Sequence, residues 1–446
     1  MPIDPIKEHN RQFIEKLTGK ESVGVDSQGR LYQEIGIIGF TKKIFKKADK
    51  RIGNAVFSYA LDEIQKSTFH HIDEGPKVYK QLLLRLDKTN LLSVEDKEAI
   101  ALAWYAQRCA DLVDNNTAKE VAEAIITIEM CQDPSISAQL KSSIRPEPTS
   151  GGTSGSYFIK NRQGIKIGIF KPQDEEVYMP HNPKGYRLAY NPKSRHGPKL
   201  GHLQGSSWQK ERAAWEIDNG EMAGVPFTTT ISVPFPKAPG NPKIITKKGS
   251  FQVFAQGQPV EELVAQEINN IPTKEVQKIA CFDLIIGNAD RNLGNVLYDT
   301  KEQKLTPIDH GLILLDSLTT GSSEMNCHWL TWPQVKQPVD PALKAWILNY
   351  NIDEKCEKLK EIGITEESIR EHRFRVIFLK EAINKGLNLF EIGMLSMQTA
   401  ETADSNIWLS KTVLETMYSL SEENYADDAI FSESFKQNIQ KKLQEI

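Results

Sequence analysis

Between Phe282 and Gly311 the chain twice runs an apolar segment straight into a polar turn. The first run, Leu284–Ile286, enters a cluster holding Asn288, Asp290, Arg291 and Asn295. A short strand around Val296–Tyr298 and a turn at Asp299–Gln303 follow. A second apolar run around Thr306–Ile308 then ends in Asp309-His310-Gly311. Both runs read as strands, and a turn at the end of a buried strand holds its Asn and Asp side chains at defined points. Gly311 frees the backbone after the second turn.

These residue types suit one chemistry. Asp290 and Asn295 are five positions apart, the spacing at which a kinase catalytic loop sets its base and its metal-binding amide. Phosphoryl transfer needs a hard cation on oxygen ligands and a carboxylate to orient the attacking hydroxyl. Asp309 and Asn295 supply the oxygens for magnesium, and Asp290 the carboxylate. Upstream, the segment from Ser150 to Lys171 reads as a hairpin with Gly151, Gly152 and Gly155 in its turn. There the backbone can approach a phosphate, with Ser154 and Ser156 adding hydroxyls. Lys171 ends the next apolar strand and can reach the phosphates of ATP. Glu211, on the following helix, is the expected partner of Lys171, with Glu216 a lesser candidate.

Composition narrows the classes that remain. The chain of 446 residues is 39% hydrophobic and 26% charged, with a net charge of −4, so nothing global attracts nucleic acid. Its five cysteines are odd in number and scattered, against both a disulfide framework and a zinc site and in keeping with a reducing compartment. The N-terminus is too polar for a signal peptide, and no apolar run approaches membrane-spanning length. The expected location is cytoplasmic or peripheral to a membrane.

Periodicity divides the chain. Residues 1–145 read as a helical domain of unassigned role, ending at the Pro/Gly-rich loop Ser143–Gly155. Strands are expected at Ser156–Ile159, Ile165–Phe170, Thr228–Val233 and Phe251–Phe254, with a helix over Trp208–Asp218 and a largely helical remainder. The expected fold is α+β, a bilobal protein-kinase-like fold: a small β-rich N-lobe over 146–258 and an α-rich C-lobe over 259–446, with the helical domain added in front. Met179–Gly205 reads as a long surface insertion.

On these segments the sequence resembles the type II phosphatidylinositol 4-kinases and their relatives in the phosphatidylinositol 3- and 4-kinase-like superfamily. SGSYFIKNRQGIKIGIFKPQDEE is similar to that family's phosphate loop and lysine strand, and KKGSFQVFAQG to its fifth strand and hinge. FDLIIGNADRNLGNVL is similar to its catalytic loop, IDHG to its metal motif, and HWLTWPQVKQPVD to a tryptophan-bearing segment beyond. The resemblance spans roughly residues 150 to 395. It implies that Lys171 contacts the α- and β-phosphates, Phe254, Ala255 and Gln256 face the adenine, Asp290 is the catalytic aspartate, and Asn295 and Asp309 hold magnesium. It also implies an ATP-dependent lipid kinase that phosphorylates the inositol ring of phosphatidylinositol, at the 4-position. A protein kinase of the same superfamily and a non-catalytic nucleotide-binding scaffold are the alternatives. The family's cysteine-rich palmitoylation motif is absent; the insertion is basic instead (Lys184, Arg187, Lys193, Arg195, Lys199).

A lipid substrate requires a membrane contact, and two segments offer one. Phe40–Ile52 carries six basic residues and one acid, with Phe40, Ile44, Phe45, Ala48 and Ile52 on one helical face. Near an anionic leaflet each base is worth about 1 kcal/mol. The same pattern suits a domain helix with a core-facing stripe. The 184–199 loop, with Tyr186 and Tyr190 among its bases, reads as a second membrane contact or as a solvated loop. Trp329, Trp332 and Met325 read either as an apolar lip beside the substrate cleft or as core. An unfamiliar helical domain on a eukaryote-like kinase also fits a secreted bacterial effector acting in a host cell.

Overall fold

The structure, a computed structural model, describes residues 23–25, 31–33, 43–44, 146–160, 164–191, 197–199, 201–236, 244–316, 325–396, 408–421, 424 and 427–445. The chain forms two compact units, residues 1–145 with 160–167, and residues 146–159 with 168–446. In the first unit, β1 (Val23–Val25), β2 (Leu31–Gln33) and β3 (Lys43–Ile44) make an antiparallel sheet in that order. Lys43 and Ile44, inside the segment read as an interfacial helix, are thus extended and paired with β2. The rest of Phe40–Ile52 and the helices expected between Leu82 and Ile128 lie outside the described residues.

The described residues from 146 onward are mixed α+β, an antiparallel sheet followed by helices. Strands β4 (Glu147–Pro148), β5 (Tyr157–Lys160), β6 (Lys166–Pro172), β7 (Thr228–Pro236) and β8 (Ile244–Val253) form a sheet ordered β4-β5-β6-β8-β7. β7 is rich in β-branched residues, and its two prolines are tolerated because it lies at the sheet edge. β8 begins seven residues before the expected Phe251. Its charged stretch hid it: Lys247 is buried and ion-paired with Glu175, which also accepts the Tyr157 hydroxyl at 2.6 Å. Helix α1 (Ser207–Asp218) packs on β7 and β8, with Trp215 edge-on to Phe227 at 4.9 Å.

After β9 (Gln258–Pro259) the unit turns helical. Helices α2 (Ala265–Asn270) and α3 (Thr273–Ile286) precede the hairpin of β10 (Val296–Asp299) and β11 (Lys304–Pro307), in register Val296↔Pro307. Helices α4 (Pro341–Asn349), α5 (Ile352–Glu361), α6 (Glu366–Lys385), α7 (Leu389–Ser396), α8 (Trp408–Ser419) and α9 (Asp428–Gln444) follow. The 20-residue α6 lies against α3, α4, α5 and α9 and forms the centre of this half. Leu284–Ile286, expected as a strand, is the last turn of α3. A short buried apolar run has no periodicity of its own to tell helix from strand. The helix stops at Gly287, whose φ of 58° is left-handed.

α1 is connected to β7 through a buried carboxylate. Asp218 accepts hydrogen bonds from the amides of Met222 (3.2 Å), Ala223 (2.6 Å) and Val225 (2.8 Å). Asp218→Ala strands these amides without partners, and a loss of about 2–3 kcal/mol is expected, read as a lower melting temperature.

Candidate active site

Lys171 sits on β6 opposite Ser250 of β8, near the end of the strand. Its ammonium donates to Glu211 of α1 and, at 2.8 Å, to Asp309 Oδ1. The second oxygen of Glu211 accepts the His310 amide at 3.0 Å. One buried carboxylate therefore ties the strand lysine to the backbone of the Asp-His-Gly turn. Burial works against the charge on Lys171, but Asp309 and Glu211 outweigh it and raise its pKa. Burial raises Glu211, and the Lys171 ammonium opposes that rise. The same ammonium holds Asp309 down at about 2. Glu216, the lesser candidate, pairs with Arg212 at 3.1 Å instead.

Two devices fix α1 so that Glu211 points inward. Glu176 accepts the amides of Ser207 (3.0 Å) and Trp208 (2.8 Å), a carboxylate at the helix N-terminus. Lys210, wholly buried, donates to Asp316 at 2.6 Å and to the Leu314 carbonyl at 2.9 Å, and lies 2.9 Å from His202 Nδ1. Burial raises Glu176 to about 7, against the two amide hydrogen bonds that lower it.

The Asn288–Asn295 segment hangs on a residue that sequence reasoning missed. Asp283, on the last turn of α3 and fully buried, accepts the Asn288 side-chain amide (2.9 Å), Arg291 Nε (3.1 Å) and the Trp329 indole (3.0 Å), and its carboxylate is ion-paired with the Arg291 guanidinium. Arg291 also donates to the carbonyls of Asn295 (2.6 Å) and Ile308 (2.9 Å), joining both turns. Asn288 in turn accepts the Asp290 amide at 2.8 Å. Only the spacing of an acid before a buried arginine hinted at this hub. Trp329, Trp332 and Met325 are buried core, not an apolar lip: the indole of Trp329 is held on Asp283 and Met325 packs at Arg375.

Asp290, Asn295 and Asp309 converge from these turns. The Asn295 side-chain NH₂ donates to the Asp290 carbonyl at 2.9 Å, which leaves its amide oxygen as the free acceptor. Asp309 adopts a left-handed φ of 57°, a conformation rarely taken by L-residues outside turns. Burial and then Asp309 raise Asp290, with Lys199 the largest opposing charge. His310 is buried edge-on to Phe282 at 5.6 Å, and among the described residues neither ring nitrogen has a hydrogen-bond partner.

A cleft of about 480 Å³ joins these groups to the glycine loop. Gly152, Ser154, Ser156, Lys171, Glu211, Asp290, Asn295 and Asp309 all line it, as does Glu261, which the sequence did not single out. Gly155 and Phe254, Ala255 and Gln256 are not among its lining residues. Gly155 serves packing: its amide donates to the Glu175 carbonyl at 2.9 Å, and a Cβ there would collide with the Glu175 side chain. Phe254 packs edge-on to Phe158 at 6.0 Å. Ser154 Oγ accepts the Val177 amide at 3.1 Å, so its hydroxyl proton is what remains for a ligand. Asn182 donates to the Thr153 carbonyl at 2.9 Å, and Lys184 to those of Gly151 and Gly152. Lys184 and Lys199, read among the bases of a membrane-facing loop, thus turn towards backbone carbonyls of the site; Lys193 and Arg195 lie outside the described residues.

A strand lysine held by a helix glutamate, facing an Asp–Asn turn and a second acidic turn, is the cleft of a kinase-like protein. The sequence profile described as phosphatidylinositol 3- and 4-kinase matches residues 152–392, more than half of the chain. The chain belongs to that family. It is 34% identical over 280 residues to phosphatidylinositol 4-kinase gamma 4 of Arabidopsis thaliana, covering 58% of this chain and 48% of the relative. It is 31% identical over 278 residues to phosphatidylinositol 4-kinase gamma 4 of Oryza sativa subsp. japonica, covering 59% and 47%. The chain spans about half the length of these curated relatives. The family implies ATP and Mg²⁺ in general. No helix among the described residues is long and apolar enough to cross a membrane.

Two measurements check this geometry. The folded protein holds the Glu176 proton up to about pH 7, whereas the unfolded chain releases it near 4.5, so this group's contribution to stability declines as pH rises between those values. Glu176→Gln removes that decline, seen as a flatter melting temperature across the window. Asp283→Ala leaves the buried Arg291 charge unpaired and is expected to cost about 3–5 kcal/mol in denaturant unfolding.

Proposed function

We propose that this protein is an ATP-dependent lipid kinase of the type II phosphatidylinositol 4-kinase kind, acting on the inositol ring at the 4-position. The observation that carries the phosphotransferase part is the junction of Lys171, Glu211 and Asp309 across one cleft from Asp290 and Asn295. The lipid acceptor and its ring position are supported by the family and by the names of the plant relatives. In this reading 146–258 is the small lobe and 259–446 the large lobe of a bilobal kinase, with 1–145 an added domain.

The residues present fit magnesium. Among the described residues no group of three His, Cys, Asp or Glu side chains forms a metal site alone. One carboxylate and one amide oxygen are the donor set of an ion that completes its shell with water and substrate phosphates. Asp309 and Asn295 would hold it, and bound there it neutralises charge on the transferred group. Lys171, kept charged by its two acids, binds the α- and β-phosphates. Asp290 orients the acceptor hydroxyl and takes its proton. The hydroxyl oxygen bonds to the γ-phosphorus, the bond to the β–γ bridging oxygen breaks, and ADP leaves with that electron pair. The exposed Tyr186, Leu188 and Tyr190 of the insertion supply an apolar surface for meeting a bilayer.

Labelled ATP offered with phosphatidylinositol vesicles, and separately with protein acceptors, tests the acceptor. The lipid reading predicts a phosphoinositide on thin-layer chromatography; label on protein but never on lipid would falsify it. Asp290→Ala should lower turnover by about 10²–10⁴-fold while magnesium–ATP still raises the melting temperature. Asp309→Ala should make nucleotide stabilisation independent of magnesium.

A further inference from the structure

The transferred phosphoryl group carries negative charge that the visible cations do not fully meet. Arg291, next to Asp290, is buried, pairs with Asp283, donates to two carbonyls and does not line the cleft. Lys171, held by Glu211 and Asp309, is assigned to the α- and β-phosphates. Between Asp290 and Asn295 the chain reads Asp-Arg-Asn-Leu-Gly-Asn, with no further base. A cation from outside the loop is bonded to its backbone. Lys199, at the end of the basic insertion, donates to the carbonyl of Ala289, the residue immediately before Asp290. Pro198, beside it in sequence, lines the cleft.

Lys199 differs from the other two cations in what holds it. Its partner is a neutral carbonyl, and among the described residues it makes no ion pair with a carboxylate. An ammonium has three donors, so one bond to Ala289 leaves two for an incoming anion. Its position is also fixed from behind: the Leu203 amide donates to Asp316 at 2.8 Å, and Lys210 joins that aspartate to His202. The end of the insertion is therefore tied to the segment after the Asp-His-Gly turn, and the lysine is delivered to the catalytic loop on a braced stretch of backbone.

We infer that Lys199 is the cation that contacts the γ-phosphoryl group during transfer, supplied by the insertion because the catalytic loop has none to offer. The inference rests on the phosphotransferase reading above but not on the lipid acceptor. Charge placed where the transition state develops it lowers the barrier without tightening ground-state binding. Lys199 thereby also fastens Ala289, so a purely structural role must be separated from an electrostatic one.

Three variants of the full chain make that separation: Lys199→Met removes charge and donor, Lys199→Gln keeps an amide donor for Ala289 without charge, and Lys199→Arg keeps charge. ATP turnover is measured with and without phosphatidylinositol vesicles. Melting temperature is measured with magnesium–ADP and with magnesium–ADP–aluminium fluoride, a mimic of the transferring phosphoryl group. The expected result is a fall in kcat of about 100-fold in both Met and Gln variants, with KM for ATP within about 3-fold of wild type. Stabilisation by magnesium–ADP should persist, the extra stabilisation by the fluoride complex should vanish, and Arg should recover at least about tenfold of the loss. Near-wild-type turnover in the Gln variant, or equal loss of both nucleotide complexes in Met and Gln, overturns the inference. If the wild type itself neither turns over ATP nor gains stability from the fluoride complex, the phosphotransferase reading fails and this one with it. If it turns over ATP without labelling lipid, only the acceptor is wrong and the Lys199 comparison still decides.

Discussion

The carboxylate of Glu211 is the point on which the site depends. One oxygen takes the Lys171 ammonium and the other the His310 amide, so a strand, a helix and the Asp-His-Gly turn share a single buried anion. Burying that charge is unfavourable by itself, and it is tolerated because both oxygens are satisfied and a cation lies against one of them. Much of the surrounding structure exists to keep α1 in register. Glu176 caps its first turn, Lys210 anchors its middle to Asp316, and Asp218 closes its far end.

A second anion does for the Asp290–Asn295 turn what Glu211 does for the lysine. Asp283 gathers an amide, a guanidinium and an indole, and Arg291 carries the restraint on to Asn295 and Ile308. Asp290 and Asn295 are thereby positioned by groups that never reach the cleft. The two anions divide the labour: one aligns the strand lysine, the other the Asp290–Asn295 turn. Substitutions at either should disturb chemistry from a distance.

What the sequence made legible follows a simple rule. Strands with alternating or continuous apolar residues emerged within a few residues of their true limits, as did α1, because burial writes itself into periodicity. The cluster Lys171, Asp290, Asn295 and Asp309 was also readable, since turn chemistry and spacing constrain it, and the structure brings those residues to one cleft. Where charge is buried inside an element the signal inverted. Lys247 concealed the first half of β8, and Leu284–Ile286 read as a strand because three apolar residues have no period. Asp283 stayed invisible, and Lys199 was read only as one base of the insertion, for another reason: their partners are backbone carbonyls or residues whose proximity only the fold creates. The adenine-facing expectation at Phe254–Gln256 rested on resemblance, and those residues lie outside the lining of the described cleft.

The bonds between Asn182, Lys184 and the carbonyls of Gly151, Gly152 and Thr153 have a mechanical corollary. A glycine hairpin fastened along its outer edge cannot lift as an independent flap. Any widening beneath it must carry the Asn182–Lys184 corner along or first part those bonds, so the breadth of the cleft is coupled to a surface corner.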